Sequence, residues 1–100
     1  MPRKKCVRQV ANRPDVIYYK PAGISMRNLR EVVLHVDELE AIRLADLEGL
    51  YQEEAAERME VSRATFGRIL SEANKKIADA LVNAKAIRIE GGHFELKQEE

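Results

Sequence analysis

The chain has 100 residues, a length that suits one compact domain and excludes a large multi-domain enzyme. Hydrophobic residues make up 45% of it and charged residues 34%, which is ordinary for a folded protein and too apolar for a wholly disordered one. No run approaches the ~18 apolar residues of a membrane span, and no apolar block follows the basic start, so we expect a cytoplasmic protein without a membrane partner. The single cysteine, Cys6, excludes an internal disulfide and a four-cysteine zinc site.

Charge is balanced overall but unevenly distributed. Seventeen Lys and Arg residues match seventeen Asp and Glu residues, so a general affinity for nucleic acid is not expected. Residues 1–30 carry eight bases and one acid, residues 31–60 carry ten acids and two bases, and residues 61–84 carry four bases and two acids. Positive charge is therefore concentrated at the N-terminus and around residues 63–76, which can give a neutral protein a local basic surface.

The N-terminal third predicts an arm and two short strands. Residues 1–15 are polar and basic, contain Pro2 and Pro14 and lack periodicity, so we interpret them as a flexible arm. Residues 16–20 are β-prone and end at the turn formed by residues 21–23. Residues 31–36 place Val32, Leu34 and Val36 on one face and Val33 and His35 on the other, which predicts a second strand.

Three helices are expected next. Asp37 and Glu40 form a D-x-x-E capping pattern at the start of helix 1, and Gly49 ends that helix in the left-handed conformation. Residues 52–59 predict a short second helix. Ser62 is the expected N-cap of a long third helix. Its apolar residues recur every three or four positions as one stripe, formed by Phe66, Ile69, Leu70, Ala73, Ile77, Ala80 and Ala84.

The C-terminal residues alternate again on both sides of Gly91-Gly92. This pattern predicts a β-hairpin over residues 87–96 with a two-residue turn. In that register Ile87 faces Leu96 on the apolar side, and Arg88 faces Glu95 on the polar side.

Residues 52–71 predict a helix-turn-helix. Counted from Gln52, Glu60 stands at the ninth position, where glycine is usual because the turn needs a positive φ, at a strain of ~1 kcal/mol. The apolar slots of the motif are all filled, by Ala56, Val61, Phe66 and Ile69. The predicted fold is therefore mainly α with short β elements: a trihelical helix-turn-helix core with a C-terminal β-hairpin and short N-terminal antiparallel strands, in one domain over residues 16–100.

The outer face of helix 3 is small and basic. At 100° per residue it comprises Arg63, Ala64, Gly67, Arg68, Ser71, Asn74 and Lys75. Small Ala64 and Gly67 would let the backbone approach a DNA major groove, while the arginines reach guanine edges or phosphates, and Ser71 and Lys75 phosphates. Ser62 and the free backbone N–H groups beside it also favour phosphate. The alternative is that these are solvated surface charges on a general trihelical domain.

Three segments resemble a known family. They are DELEAIRLADLEGLYQEEAAERMEVSRATFGRIL (37–70), KPAG (20–23) and KAIRIEGG (85–92). Together they look like a small family of uncharacterised prokaryotic proteins that are predicted to bind DNA, and the match covers nearly the whole chain. The central portion is also similar to the region-4 helix-turn-helix of sigma factors, which implies a major-groove recognition helix beginning near Ser62.

These observations predict sequence-specific binding of double-stranded DNA in transcription regulation. Because a single recognition helix reads few bases, we expect a homodimer. Arg3, Lys4 and Lys5 of the arm are candidates for contacts to the DNA backbone, with a disordered tail as the alternative.

Two other functions stay open. One is a protein-interaction module in which the acidic helices 1 and 2 dock a polymerase subunit or another regulator. The other is a metal or redox sensor using Cys6 and histidine, although His35 and His93 have no Cys or Asp at ligand spacing. We predict no enzymatic activity, cofactor or metal, because no Ser/His/Asp arrangement, phosphate-binding glycine loop or paired-carboxylate motif rises above chance. The acids at 53, 54 and 57 suit the dipole of a helix N-terminus.

Overall fold

A computed structural model describes residues 7–96, which contain three α-helices and five short strands. The strands are β1 (Arg8–Val10), β2 (Tyr18–Tyr19), β3 (Glu31–Leu34), β4 (Ala86–Ile89) and β5 (Phe94–Leu96). The helices are α1 (Val36–Ile42), α2 (Gln52–Met59) and α3 (Arg63–Val82). The predicted mixture of three helices with short strands, mainly helical, is confirmed.

The first helix begins one residue before the predicted start and is capped by other side chains. His35 is its N-cap, and the backbone N–H of His35 donates to Glu38 Oε1 at 2.8 Å. The predicted partner Glu40 instead accepts from the guanidinium of Arg43 at 2.7 Å. After α1 the helix widens into a π-helical turn, Arg43–Leu47, and Gly49 follows it with a φ of 74°, in the left-handed region as predicted.

A turn of three residues joins α2 to α3. The bounds of α2 match the prediction, and Glu60 after it has φ 56° and ψ 45°, so the predicted left-handed residue is present. The Val61 N–H donates to the Ala56 carbonyl at 3.0 Å, a bond that closes the C-terminus of α2. Ser62 has extended backbone angles and caps α3, again as predicted.

Two clusters of buried residues hold the helices and the strands. The helix cluster consists of Ala41, Leu44, Ala55, Ala56, Met59, Phe66 and Ile69. The sheet cluster consists of Val10, Leu34, Val36, Ala73 and Ile89. Helices α1 and α3 contribute residues to both, so α3 joins the helix cluster through Phe66 and Ile69 and the sheet cluster through Ala73.

The strand pairing corrects the predicted C-terminal hairpin. β4 lies between β2, to which it is antiparallel, and β3, to which it is parallel, while β5 pairs in parallel with β1. Gly91-Gly92 therefore makes no hairpin turn and carries the chain across the start of α1, where the Val36 N–H donates to the Gly91 carbonyl at 3.1 Å. A Cβ at Gly92 would lie 2.5 Å from Asp37 Oδ1, so this crossing requires glycine.

The predicted flexible arm is wrong for residues 8–10. These residues form β1, and Val10 is 1% exposed inside the sheet cluster. Their pairing partner lies more than 80 positions away in β5, which explains why no local periodicity announced a strand. The arm residues Arg3, Lys4 and Lys5, as well as Cys6, lie outside the described residues.

A polar cluster ties together the strands of the larger sheet. Arg88 on β4 was expected opposite Glu95 but donates to both carboxylate oxygens of Glu31 on β3, at 3.2 and 2.9 Å. Tyr18 on β2 donates to the same carboxylate at 2.7 Å and lies under the Arg88 guanidinium. The hydrogen bonds from Arg88 and Tyr18 hold the pKa of Glu31 below its usual value.

Candidate nucleic-acid interface

The structure brings the predicted helix 3 residues together on one exposed face of α3, which we call the outer face. Gly67 is half-buried and the rest are exposed. The outer face comprises Arg63, Ala64, Gly67, Arg68, Ser71, Asn74 and Lys75, with Ser62 at its start. The buried residues Phe66, Ile69 and Ala73 lie on the opposite side of the helix. This placement makes the outer face available for contact, and its role in binding stays a prediction.

The start of α3 is held by a short chain of hydrogen bonds. Ser62 Oγ accepts from the Thr65 backbone N–H at 3.1 Å and donates to Thr65 Oγ1 at 3.0 Å. Arg68 also donates to Thr65 Oγ1, at 3.1 Å. Because the Ser62 hydroxyl proton is committed to Thr65, a phosphate here would be bound by backbone N–H groups. Thr65, which sequence reasoning missed, orients Arg68.

Arg63 differs from Arg68 because an acid of another helix holds it. Its Nη1 donates to Glu53 Oε1 at 3.4 Å, across the gap between α3 and the first turn of α2. The side chains are 67% and 77% exposed, so water screens the pair and its net contribution to stability is small. Arg63 can therefore exchange Glu53 for another acceptor at low cost.

The first turn of α2 extends the outer face. Tyr51, Gln52, Glu53 and Arg63 line one shallow depression, and Tyr51 is 87% exposed. Gln52 Oε1 lies 3.5 Å from the position of a Cβ at Gly67, so this amide covers part of the middle of α3. Sequence reasoning assigned none of these α2 residues to the surface, and it interpreted Glu53 through the helix dipole alone.

Gly67 has no role in the fold that would explain a glycine. It lies inside a 20-residue helix, where glycine costs ~1 kcal/mol relative to alanine. Its φ is not positive, and among the described residues a Cβ there would meet only Gln52 Oε1, at an ordinary contact distance. The glycine leaves a gap in side-chain volume beside Ala64 and the two arginines, bordered by the Gln52 amide.

Several cations hold buried carboxylates inside the fold. Arg8 points at the buried Asp37, with Nε 3.8 Å from Oδ2, and Lys76 donates to the buried Glu38 at 2.8 Å. Arg43 donates to the Glu40 carboxylate, and these hydrogen bonds raise the Arg43 pKa. The acid-rich segment thus places three carboxylates, at positions 37, 38 and 40, inside the fold against cations from other elements. This pairing accounts for part of the charge segregation without any ligand.

The remaining candidate chemistry is sparse in residues 7–96. That part of the chain contains no group of three His, Cys, Asp or Glu residues able to hold a metal ion. His35 lies 3.8 Å from Glu38, and Cys6 of the sensor alternative falls outside the described range. None of the helices in this range combines the length and apolarity needed to cross a bilayer.

Comparison with known proteins identifies the family. Residues 1–97 match the family model described as "Protein of unknown function DUF134". The chain is 57% identical over its full length to a UPF0251 protein of Thermoanaerobacter sp. strain X514, of which it covers 88%. It is 60% identical over 94 residues to a UPF0251 protein of Desulfosudis oleivorans, covering 94% of this chain and 68% of that protein.

A third relative is longer than this chain. A UPF0251 protein of Moorella thermoacetica is 60% identical over 96 residues, which cover 96% of this chain and 64% of the relative. No solved structure matches the chain. The chain belongs to the DUF134 family, whose curated members carry the name UPF0251.

Proposed function

We propose that this protein binds double-stranded DNA sequence-specifically and regulates transcription, with α2 and α3 acting as a helix-turn-helix. In this arrangement the outer face of α3 enters the major groove, Arg63 and Arg68 contact guanine edges or phosphates, and Lys75 contacts a phosphate. The α2–α3 turn supports the proposal, since Glu60 adopts the left-handed conformation that this motif requires at its ninth position.

One observation carries the proposal: the gap in side-chain volume at Gly67 between two exposed arginines. A mid-helix glycine with no packing role is a cost that close approach of a ligand backbone or base edge would offset. Ala64 and Ser71, one turn before and after it, are also small and exposed. The arginines on both sides supply donors that suit the acceptors of guanine and phosphate.

The test is DNA binding by an Arg63→Ala, Arg68→Ala variant. We first select bound fragments from a random duplex pool with the wild-type protein and then titrate the selected duplex against salt. Each lost specific contact is expected to cost ~1 to 3 kcal/mol, and the logarithmic salt slope is expected to fall by about 2 if both arginines contact phosphate. Unfolding should be almost unchanged because both side chains are exposed.

A matched control separates these arginines from bulk charge. Arg13 and Arg27 are exposed in loops outside the helices, so Arg13→Ala, Arg27→Ala removes the same charge elsewhere. The proposal requires the control to retain most of the affinity. Equal losses in both double variants would reduce the interaction to nonspecific electrostatics.

The same double variant distinguishes DNA binding from the alternative function, a protein-interaction module. If helices α1 and α2 dock a polymerase subunit or another regulator while α3 is structural, the Arg63→Ala, Arg68→Ala variant would bind duplex DNA as the wild type does. Absence of any duplex binding by the wild type would overturn the DNA proposal and favour that rival.

We further propose that the active form is a homodimer, because one α3 reads few base pairs. The end of α3 supports a dimer: Leu81 and Val82 are 76% and 81% exposed, and Leu81 borders a groove with Tyr19. A two-fold contact needs such a patch to fit its own copy. Analytical ultracentrifugation is expected to show a dimer that Leu81→Lys dissociates, whereas Leu47→Lys, at another exposed leucine, does not.

A further inference from the structure

The first turn of α2 places a carboxylate next to an arginine of the outer face. Glu53 Oε1 lies 3.4 Å from Arg63 Nη1, and both side chains are mostly exposed. Arg68, in contrast, donates to the Thr65 hydroxyl of its own helix. The two arginines therefore present different chemistry: Arg68 offers donors beside a neutral group, and Arg63 offers donors with an acceptor at its side.

A carboxylate at this position weakens DNA binding unless it accepts a hydrogen bond from the DNA. Phosphates and most acceptor atoms of the base edges repel it. In the major groove the donors are the exocyclic amino groups of cytosine and adenine, and the usual partner of a Glu or Asp side chain is the cytosine amino group. Glu53 thus lowers the affinity for DNA sequences that leave its oxygens without a donor. It does not lower the affinity for sequences that supply one.

The order of donor and acceptor on the protein matches one base pair. Guanine presents two acceptors, N7 and O6, to which a guanidinium binds in bidentate fashion, and the paired cytosine presents its amino donor next to O6. No other base pair shows two adjacent acceptors followed by a donor across the major groove. Because Glu53 and Arg63 belong to different helices, the fold of α2 against α3 fixes their separation.

We propose that Glu53 is a specificity-determining residue, which together with Arg63 reads a single G·C pair, the arginine binding guanine and the carboxylate accepting from the cytosine amino group. This inference rests on the proposed function and adds the base pair that the site selects. It also assigns Glu53 a role other than stabilising the first turn of α2.

The experiment compares Glu53→Gln with the wild type on the selected duplex and on duplexes changed at one base pair at a time. The wild type is expected to lose about tenfold or more in affinity when the G·C pair read by Arg63 is replaced. In Glu53→Gln that discrimination should fall at least fivefold, and discrimination at other positions should stay unchanged. Affinity for unrelated duplex should rise two- to fivefold, because a negative charge has left the interface.

Two controls locate the effect. Glu95→Gln removes the same charge from an exposed site on β5 and is expected to leave the position-by-position discrimination unchanged. In an Arg63→Ala background, Glu53→Gln should produce no further loss at the G·C pair, since the two residues read it together. A thermal midpoint within about one degree of the wild type would show that the variants fold alike.

The outcomes separate this inference from the proposed function. Specific binding by the wild type, with full discrimination kept in Glu53→Gln or lost evenly at all positions, would overturn the role of Glu53 and leave DNA binding intact. Failure of the wild type to bind any duplex would overturn both.

Discussion

The helix cluster and the sheet cluster are assembled over very different distances along the chain. Members of the helix cluster come from residues 41–69, in three consecutive helices, whereas the sheet cluster brings together Val10 and Ile89, whose strands β1 and β4 belong to two different sheets. Helices α1 and α3 contribute to both clusters. The outer face is therefore carried by a locally built unit, and the second half of the same helix is anchored by contacts between distant segments.

The two clusters also differ in whether buried charged side chains lie beside them. The helix cluster is apolar, while the sheet side includes the buried carboxylates of Asp37 and Glu38, met by Arg8 from β1 and Lys76 from α3. Buried charges are strongly destabilising when one partner is removed. Substitutions on the sheet side should accordingly destabilise the whole fold, whereas substitutions on the outer face should change binding and leave folding intact.

The largest effect is expected at the crossing of the chain over the start of α1. Gly92→Ala combines a φ of 101° with a Cβ 2.5 Å from Asp37 Oδ1, so we expect a loss of ~3 kcal/mol in the free energy of unfolding. Gly23→Ala is the control, because its φ is 85° but a Cβ there meets nothing within 4 Å among residues 7–96, and it should lose ~1 kcal/mol. Denaturant titration measures both. Equal losses would show that the contact with Asp37 is unimportant.

Alanine substitutions of two adjacent lysines should affect different properties, stability for Lys76 and DNA binding for Lys75. Lys76→Ala leaves the buried Glu38 without its 2.8 Å ion pair, and we expect a loss of about 2 kcal/mol in stability. Lys75→Ala, on the exposed outer face, should change stability by less than about 0.5 kcal/mol and weaken DNA binding. Thermal unfolding and duplex titration of the two variants check this contrast. A stability loss in Lys75→Ala as large as that in Lys76→Ala would contradict the expected difference between the two lysines.

A smaller effect of the opposite sign is expected in the turn before α3. Glu60→Gly relieves a side chain in the left-handed conformation, so the free energy of unfolding should rise by about 0.5 to 1 kcal/mol. The thermal midpoint should increase by several degrees for a domain of this size. A decrease would mean that the Glu60 side chain stabilises the turn in a way its backbone angles do not suggest.

The smallest effect is a pH dependence in the larger sheet. The pKa of Glu31 is lowered by Arg88 and Tyr18, so its contribution to stability is complete above its usual value of 4.5 and is lost as pH falls through the lowered value. The thermal midpoint of Glu31→Gln should therefore lie below that of the wild type at pH 6 and converge with it toward pH 3. Glu95→Gln controls for the loss of an exposed charge. A constant difference across this pH range would contradict the assignment.

The sequence predicts the helix cluster well because its signals are local. The limits of α2, the Ser62 cap and the left-handed Glu60 each depend on a few neighbouring residues, and all three agree with the structure. The outer face follows from the same periodicity, because Phe66 and Ile69 fix which side of α3 is buried.

The sheet side could not be predicted in the same way. Gly91-Gly92 has the composition of a hairpin turn, and the alternating residues beside it would suit one. The actual partners of β4 are residues 18–19 and 31–34, and nothing in the local pattern identifies them. The capping role of Glu38 was also missed, because Asp37 and Glu40 have the same spacing as His35 and Glu38 and were assigned the cap instead.

If the small gap on the outer face accommodates DNA, Gly67→Ala is the substitution that tests this most directly. Alanine should raise the free energy of unfolding by up to ~1 kcal/mol, since it favours the helix and its Cβ meets only Gln52 Oε1 at 3.5 Å among the described residues. The same variant should bind the selected duplex at least tenfold more weakly. A variant that is more stable and binds DNA as tightly as the wild type would contradict the account.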